Sequence, residues 1–135
     1  MSNDKKQSLI QKRIQLLHEL IRATEAEKAS WDTTAENGFL VASGAMTLHI
    51  SPLNKKEEHW GYNVELAGYS GSTIDQYSVK RCDSSTINPL EQITMSNYEQ
   101  SNLELHVDKL YVAARNSIEA KINLQMDRFI EGLRA

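Results

Sequence analysis

Two long amphipathic stretches, one towards each end of the chain, enclose a block of alternating residues broken by glycines. That order leaves few ways to bury apolar surface, because a helical stripe and a strand face must each find a partner layer. The first stretch covers about residues 4–29 and the second about residues 102–132. In the first, Ser8-Leu9-Ile10-Gln11 matches a capping box, and Asn3 or Asp4 offers an earlier start. Ile10, Ile14, Leu17 and Ile21 then recur at three- and four-residue steps, with Leu9, Leu16 and Leu20 widening the stripe. In the second, Ser101-Asn102-Leu103-Glu104 is another capping box. Val107, Tyr111, Ala114, Ile118, Ile122, Gln125 and Phe129 carry one stripe, and Leu110, Met126, Ile130 and Leu133 extend it sideways. Gly132 is its stop signal.

The middle switches to a period of two. Phe39 and Val41 alternate with Leu40 and Ala42, and Ser43-Gly44-Ala45 reads as a tight turn. Met46, Leu48 and Ile50 alternate with Thr47, His49 and Ser51, and Pro52 is expected to end that run. Trp60, Tyr62, Val64 and Leu66 give the cleanest alternation and are expected to face the core. Gly68-Tyr69-Ser70-Gly71 reads as a second turn. A fourth strand follows over about residues 73–80, with Ile74 and either Tyr77 or Val79 inward and a bulge at the break in parity. Strands are therefore expected over about 38–43, 46–51, 60–67 and 73–80. Residues 81–101 read as irregular, with Asn88-Pro89 as a possible short helix start. The fold class is α+β: one domain over residues 1–135, a four-stranded antiparallel meander with both helices on one face. At about 1.5 Å per residue the second helix spans roughly 45 Å, against roughly 17–20 Å for a typical strand, so its far end is expected to overhang.

Charge and composition narrow the function classes. The net charge of −3 gives no global pull towards nucleic acid. Lys5, Lys6, Lys12, Arg13 and Arg22 face only Asp4 and Glu19 in the first stretch, which would suit an anionic partner or a plain solvated face. No apolar run approaches the roughly 20 residues of a membrane helix. The polar Met1 to Lys6 segment does not read as a secretory signal, and the single Cys82 fits a reducing compartment. A bacterial, cytoplasmic protein with no membrane partner is expected.

Motifs for chemistry are lacking. His18, His49, His59 and His106 have no metal-ligand spacing, and Cys82 has no partner cysteine. Cys82 beside Lys80 and Arg81 could favour a thiolate, but Asp83 opposes them. No nucleophile elbow and no glycine-rich phosphate cradle is present. Glu57 and Glu58 sit in a charged loop, while Glu65 and Asp75 could meet on the solvent face of the strands. No cofactor or metal is expected, and the reading leans away from an enzyme.

Leu20-Ile21-Arg22-Ala23-Thr24-Glu25, then Trp31, Thr34 and the strand block, and later Leu110-Tyr111-Val112-Ala113-Ala114-Arg115, form an ordered set. The set resembles a small domain recurring in uncharacterised bacterial proteins: a helix, a Trp-led strand meander and a C-terminal helix with Leu-Tyr-x-x-Ala-Arg. The resemblance implies the α+β layout and no particular activity. The chain departs from that pattern in its long 81–101 segment.

The functional expectation is a non-enzymatic protein–protein interaction or adaptor module, self-associating as a homodimer through its helices. Leu16, Leu20, Ile122, Met126, Phe129 and Ile130 are the candidate interface. The alternative is a small enzyme or ligand sensor with a pocket between sheet and helices, using Tyr62, His106, Tyr111 and Arg115.

Overall fold

A computed structural model describes residues 8–35, 37–55, 58–80 and 95–135. Its order is α1 (Leu9–Glu25), β1 (Trp31–Thr33), β2 (Phe39–Ser43), β3 (Met46–Lys55), β4 (Glu58–Ala67), β5 (Thr73–Lys80) and α2 (Met95–Arg134). The five strands form one antiparallel meander in the order β1-β2-β3-β4-β5. The fold is α+β, with one strand more than the period-two pattern predicts. The added strand is β1, whose three residues are too short to show an alternation.

The local signals for α1 act as expected at its start. Ser8 caps it, accepting from the Gln11 amide at 3.2 Å, while the Gln11 side chain accepts from the Ser8 amide at 3.3 Å. The helix ends at Glu25 rather than near Ala29. Glu27 takes a positive φ of 61°, and the Lys28 amide closes back on the Ala23 carbonyl at 2.7 Å. The suggested caps at Asn3 and Asp4 lie outside the described residues.

Inward-facing residues follow from the register. Trp31 opposes Val41, Val41 opposes Leu48, Phe39 opposes Ile50, Ile50 opposes Val64, and Tyr62 opposes Val79. These side chains form the sheet's half of the core, and Leu17, Ile21, Leu103, Val107, Leu110, Ala114 and Ile118 form the helices' half. Gly44, at φ 61°, closes the two-residue β2–β3 turn between the paired Ser43 and Met46.

Several sequence expectations need correction. Pro52 does not end its strand, because β3 runs on to Lys55. Pairing with β2 stops at Ile50, so Pro52 stands where that flank of β3 is open, as an edge proline can. Met46 and Trp60 are substantially exposed rather than buried. Met46 sits in the turn pair, and Trp60 at a register shift where β3 and β4 fall out of step between Leu53 and Asn54. Ile74 is exposed, and Asp75, Tyr77 and Val79 take the inner face of β5, after a shift between Leu66 and Ala67. Glu65 and Asp75 therefore lie on opposite faces. Glu65 accepts from Thr73 Oγ1, whereas Asp75 pairs with Arg13. Finally, α2 starts at Met95 and runs through Ser101, so the second capping box starts no helix. The Asn88-Pro89 start, Glu57 and Cys82 lie outside the described residues.

Three polar contacts fix the helices. Arg13 forks onto Asp75 at 2.8 and 2.7 Å and lies 4.2 Å from the Tyr77 ring centre, tying α1 to the edge strand β5. An inward charge on an edge strand also discourages strand addition there. Trp31 Nε1 donates to Thr24 Oγ1 at 2.9 Å, and that hydroxyl donates to the Leu20 carbonyl at 2.7 Å. Lys121 Nζ donates to Ser30 Oγ at 2.9 Å and to the Trp31 carbonyl at 3.0 Å. The end of α1, the edge strand β1 and the middle of α2 meet there.

Candidate functional site

The course of α2 over the sheet defines what is left over. Its early part lies near β5, where Lys80 opposes the upward push that burial exerts on the Glu104 carboxyl. Asp108 accepts from the Tyr62 hydroxyl at 2.5 Å. Tyr111 packs on Tyr62 and Phe39 with ring centres 4.9 and 5.0 Å away. Lys121 then reaches β1, the last strand. The helices α1 and α2 run side by side in the same direction, since Gln11 meets Glu99 and His18 meets His106. α1 ends well before α2 does. Every residue of α2 from 121 to 134 is exposed. At about 1.5 Å per residue this free segment is roughly 20 Å long.

The overhang expected from sequence is thus present, and the structure shows which side of it is apolar. In a helix, residues eighteen apart superpose after about five turns. Five turns beyond the core residues Leu103, Val107 and Leu110 stand Lys121, Gln125 and Arg128. Five turns beyond Glu104, Asp108 and Tyr111 stand Ile122, Met126 and Phe129. The core stripe therefore turns polar where the core ends, and the sheet-facing flank turns apolar where the sheet ends. Ile122, Met126, Phe129 and Leu133 follow four-three-four steps, the spacing of a heptad seam. With Ile130 beside them they are 42% to 71% exposed.

Placing this seam at heptad positions a and d sorts the charges. Asn123, Gln125, Ile130 and Gly132 fall at e and g, and none is charged. Lys121, Asp127, Arg128, Glu131 and Arg134 all fall at b, c or f, away from the seam.

The other proposed interface residues lie on α1. Leu20 is packed against the core, and Leu16 is partly exposed. Of the proposed pocket residues, Tyr62 and Tyr111 pack against each other, and Arg115 is exposed. His106 turns towards α1, its ring centre 6.1 Å from that of His18. Its Nδ1 lies 2.8 Å from the Asn102 carbonyl, so that nitrogen donates. The four residues do not converge.

An open groove of about 1280 Å³ lies instead between α2 and the second half of α1 with the turn that follows it, and of the four only His106 is among its walls. Ile21, Arg22, Lys28, Ala113, Ala120 and Leu124 are among its walls. Sequence reading missed it because it lies between the two helices, not between sheet and helices, and depends on how they pack side by side. Arg13, counted as a free cation from sequence, is engaged by Asp75, and Lys5 and Lys6 lie outside the described residues. Among the described residues no cluster of three or more His, Cys, Asp or Glu could hold a metal ion. No helix there is long and apolar enough to cross a membrane. No protein-family model, curated protein or solved structure matches the chain.

Proposed function

We propose that this chain is a non-enzymatic protein–protein interaction module that self-associates through the free end of α2. One observation carries the reading: a heptad-spaced apolar seam on a helical segment with no exposed residue covered by the chain's own sheet. A solvated helix end would be polar all round. Here five large apolar side chains share one side, and the charges are kept off it.

The magnitude of the association follows from the exposures. Full burial of such a side chain is worth about 1.5–3 kcal/mol, and these are roughly half exposed, so each offers about 1 kcal/mol. Ten per pair of chains give about 10 kcal/mol gross. Association costs about 4–15 kcal/mol, so at most about 6 kcal/mol remains. That corresponds to a Kd no tighter than tens of micromolar.

Light scattering from tens to several hundred micromolar should therefore show the mean mass rising with concentration. Phe129→Asp should abolish the rise without changing the circular dichroism of the dilute protein, because Phe129 is 71% exposed and supports no core residue. A wild-type mass that stays monomeric over that range, or an unchanged rise in the variant, refutes the reading.

A further inference from the structure

The seam has a direction imposed by what lies behind it. It continues the flank of α2 that faces the sheet, since Phe129 lies five turns beyond Tyr111, which packs on Phe39 of β2. A helix seated on the seam therefore occupies the same layer as this chain's own sheet, just past the edge strand β1. That placement decides how a second copy can approach.

In a parallel pair, the partner's residues preceding its own free segment would run back beneath α2. That space is filled by β1 and β2, through Trp31, Phe39 and Val41. A crossing angle of about 20°, usual for heptad seams, does not carry a helix clear of a sheet within so few turns. In an antiparallel pair, only the partner's free segment enters that layer, and its body lies beyond the far end of α2. The two free segments have equal length, so each covers the other's seam and stops level with the start of it.

We infer that two copies pair antiparallel through these segments, about a two-fold axis, with Met126 opposite Phe129 and Ile122 opposite Leu133 of the second copy. The inference rests on the proposed self-association and adds the occupant's direction and register. Charge agrees with a second copy as the occupant. A seam flanked by uncharged e and g positions meets itself without opposing like charges, whereas recognition of a different helix by flanking ion pairs would need charges there. The closed two-fold also limits growth to a pair.

Cysteine cross-linking distinguishes the arrangements. In a Cys82→Ser background, Ile122→Cys and Leu133→Cys are made separately, each on an exposed residue, with circular dichroism as the control for folding. After mild oxidation, the equimolar mixture should yield the mixed disulfide-linked pair, and each variant alone should yield little. Strong self-linking of Ile122→Cys and of Leu133→Cys alone, with little mixed product, indicates a parallel pair and overturns the inference. If light scattering shows self-association that Phe129→Asp abolishes, that outcome leaves the proposed function standing. Absence of any cross-link in a protein that light scattering shows to be associated also overturns the antiparallel register.

Discussion

The junction where α2 leaves the sheet can be tested by a single substitution, Thr24→Val. The Thr24 hydroxyl accepts from Trp31 Nε1 at 2.9 Å and donates to the Leu20 carbonyl at 2.7 Å. Both residues are buried, Trp31 at 1% and Thr24 at 5% exposure. Valine keeps the shape and has a helix propensity close to that of threonine, so packing and propensity change little. What changes is that the indole N–H loses its acceptor in a place water does not reach. A buried donor left unsatisfied costs about 1–3 kcal/mol. With roughly 2.1 cal/mol/K of unfolding entropy per residue over 135 residues, each kcal/mol moves Tm by about 3–4 °C. The variant should melt roughly 3–12 °C lower and show a lower denaturant midpoint at unchanged m-value. Thr24→Ser should keep most of the stability. In a Trp31→Phe background, which removes the donor, Thr24→Val should cost much less, giving a coupling energy of about 1–2 kcal/mol. A Thr24→Val variant as stable as wild type, or an equal cost in both backgrounds, would refute the reasoning.

Two further outcomes follow from the packing of the edge strand. A Cβ on Gly61 would stand 2.0 Å from the Val79 carbonyl oxygen and 3.0 Å from Lys80 Cα, both backbone, so Gly61→Ala must spread β4 from β5. The expected loss is about 1–3 kcal/mol by denaturant titration, whereas Gly132→Ala, with nothing within 4 Å, should raise helicity instead. The Arg13 guanidinium, chiefly through its hydrogen bond, holds the Asp75 carboxyl below its ordinary 3.8. A carboxyl with a lowered folded pKa contributes stability that is present above the unfolded value and lost as pH falls through the folded one. The stability difference between wild type and Asp75→Asn should thus be constant at neutral pH and shrink below about pH 4. A difference unchanged down to pH 2 would show that the ion pair does not act.

Much of this architecture was legible from local periodicity. The Ser8 capping box, the Gly44 turn and the inward Leu48, Ile50, Tyr62 and Val64 all sit where short-range chemistry put them. The misses share a cause. Trp60 and Ile74 lie beside register shifts, and a one-residue shift moves a side chain to the other face. Strand β1 is too short to carry a pattern, and it is held by Trp31 reaching Thr24 and Lys121 rather than by alternation. Ser101 and Asn102 read as a helix start, yet such residues cost only several tenths of a kcal/mol inside a helix. That cost is small beside the packing of the flanking turns, where Gln11 bonds Glu99 and Leu103 is buried against α1 and the sheet.

The candidate site divides in the same way. Its residues were legible, since Ile122, Met126, Phe129 and Ile130 stand out as an apolar surplus on a helix longer than any strand beneath it. So was their candidacy as an interface, but not where cover by the sheet stops, because the stripe through Val107, Tyr111, Ile122, Gln125 and Phe129 runs unbroken along the sequence. The sequence by itself determined the two helical periods, the glycine turns and the azimuth of the side chains on α2 from about residue 102 onward, because these depend on neighbours a few residues away. Only the tertiary structure decided which azimuths are covered and for how long. The sheet ends at β1, Lys121 marks that edge, and beyond it the flank that faced the sheet becomes an apolar seam that none of the described residues buries.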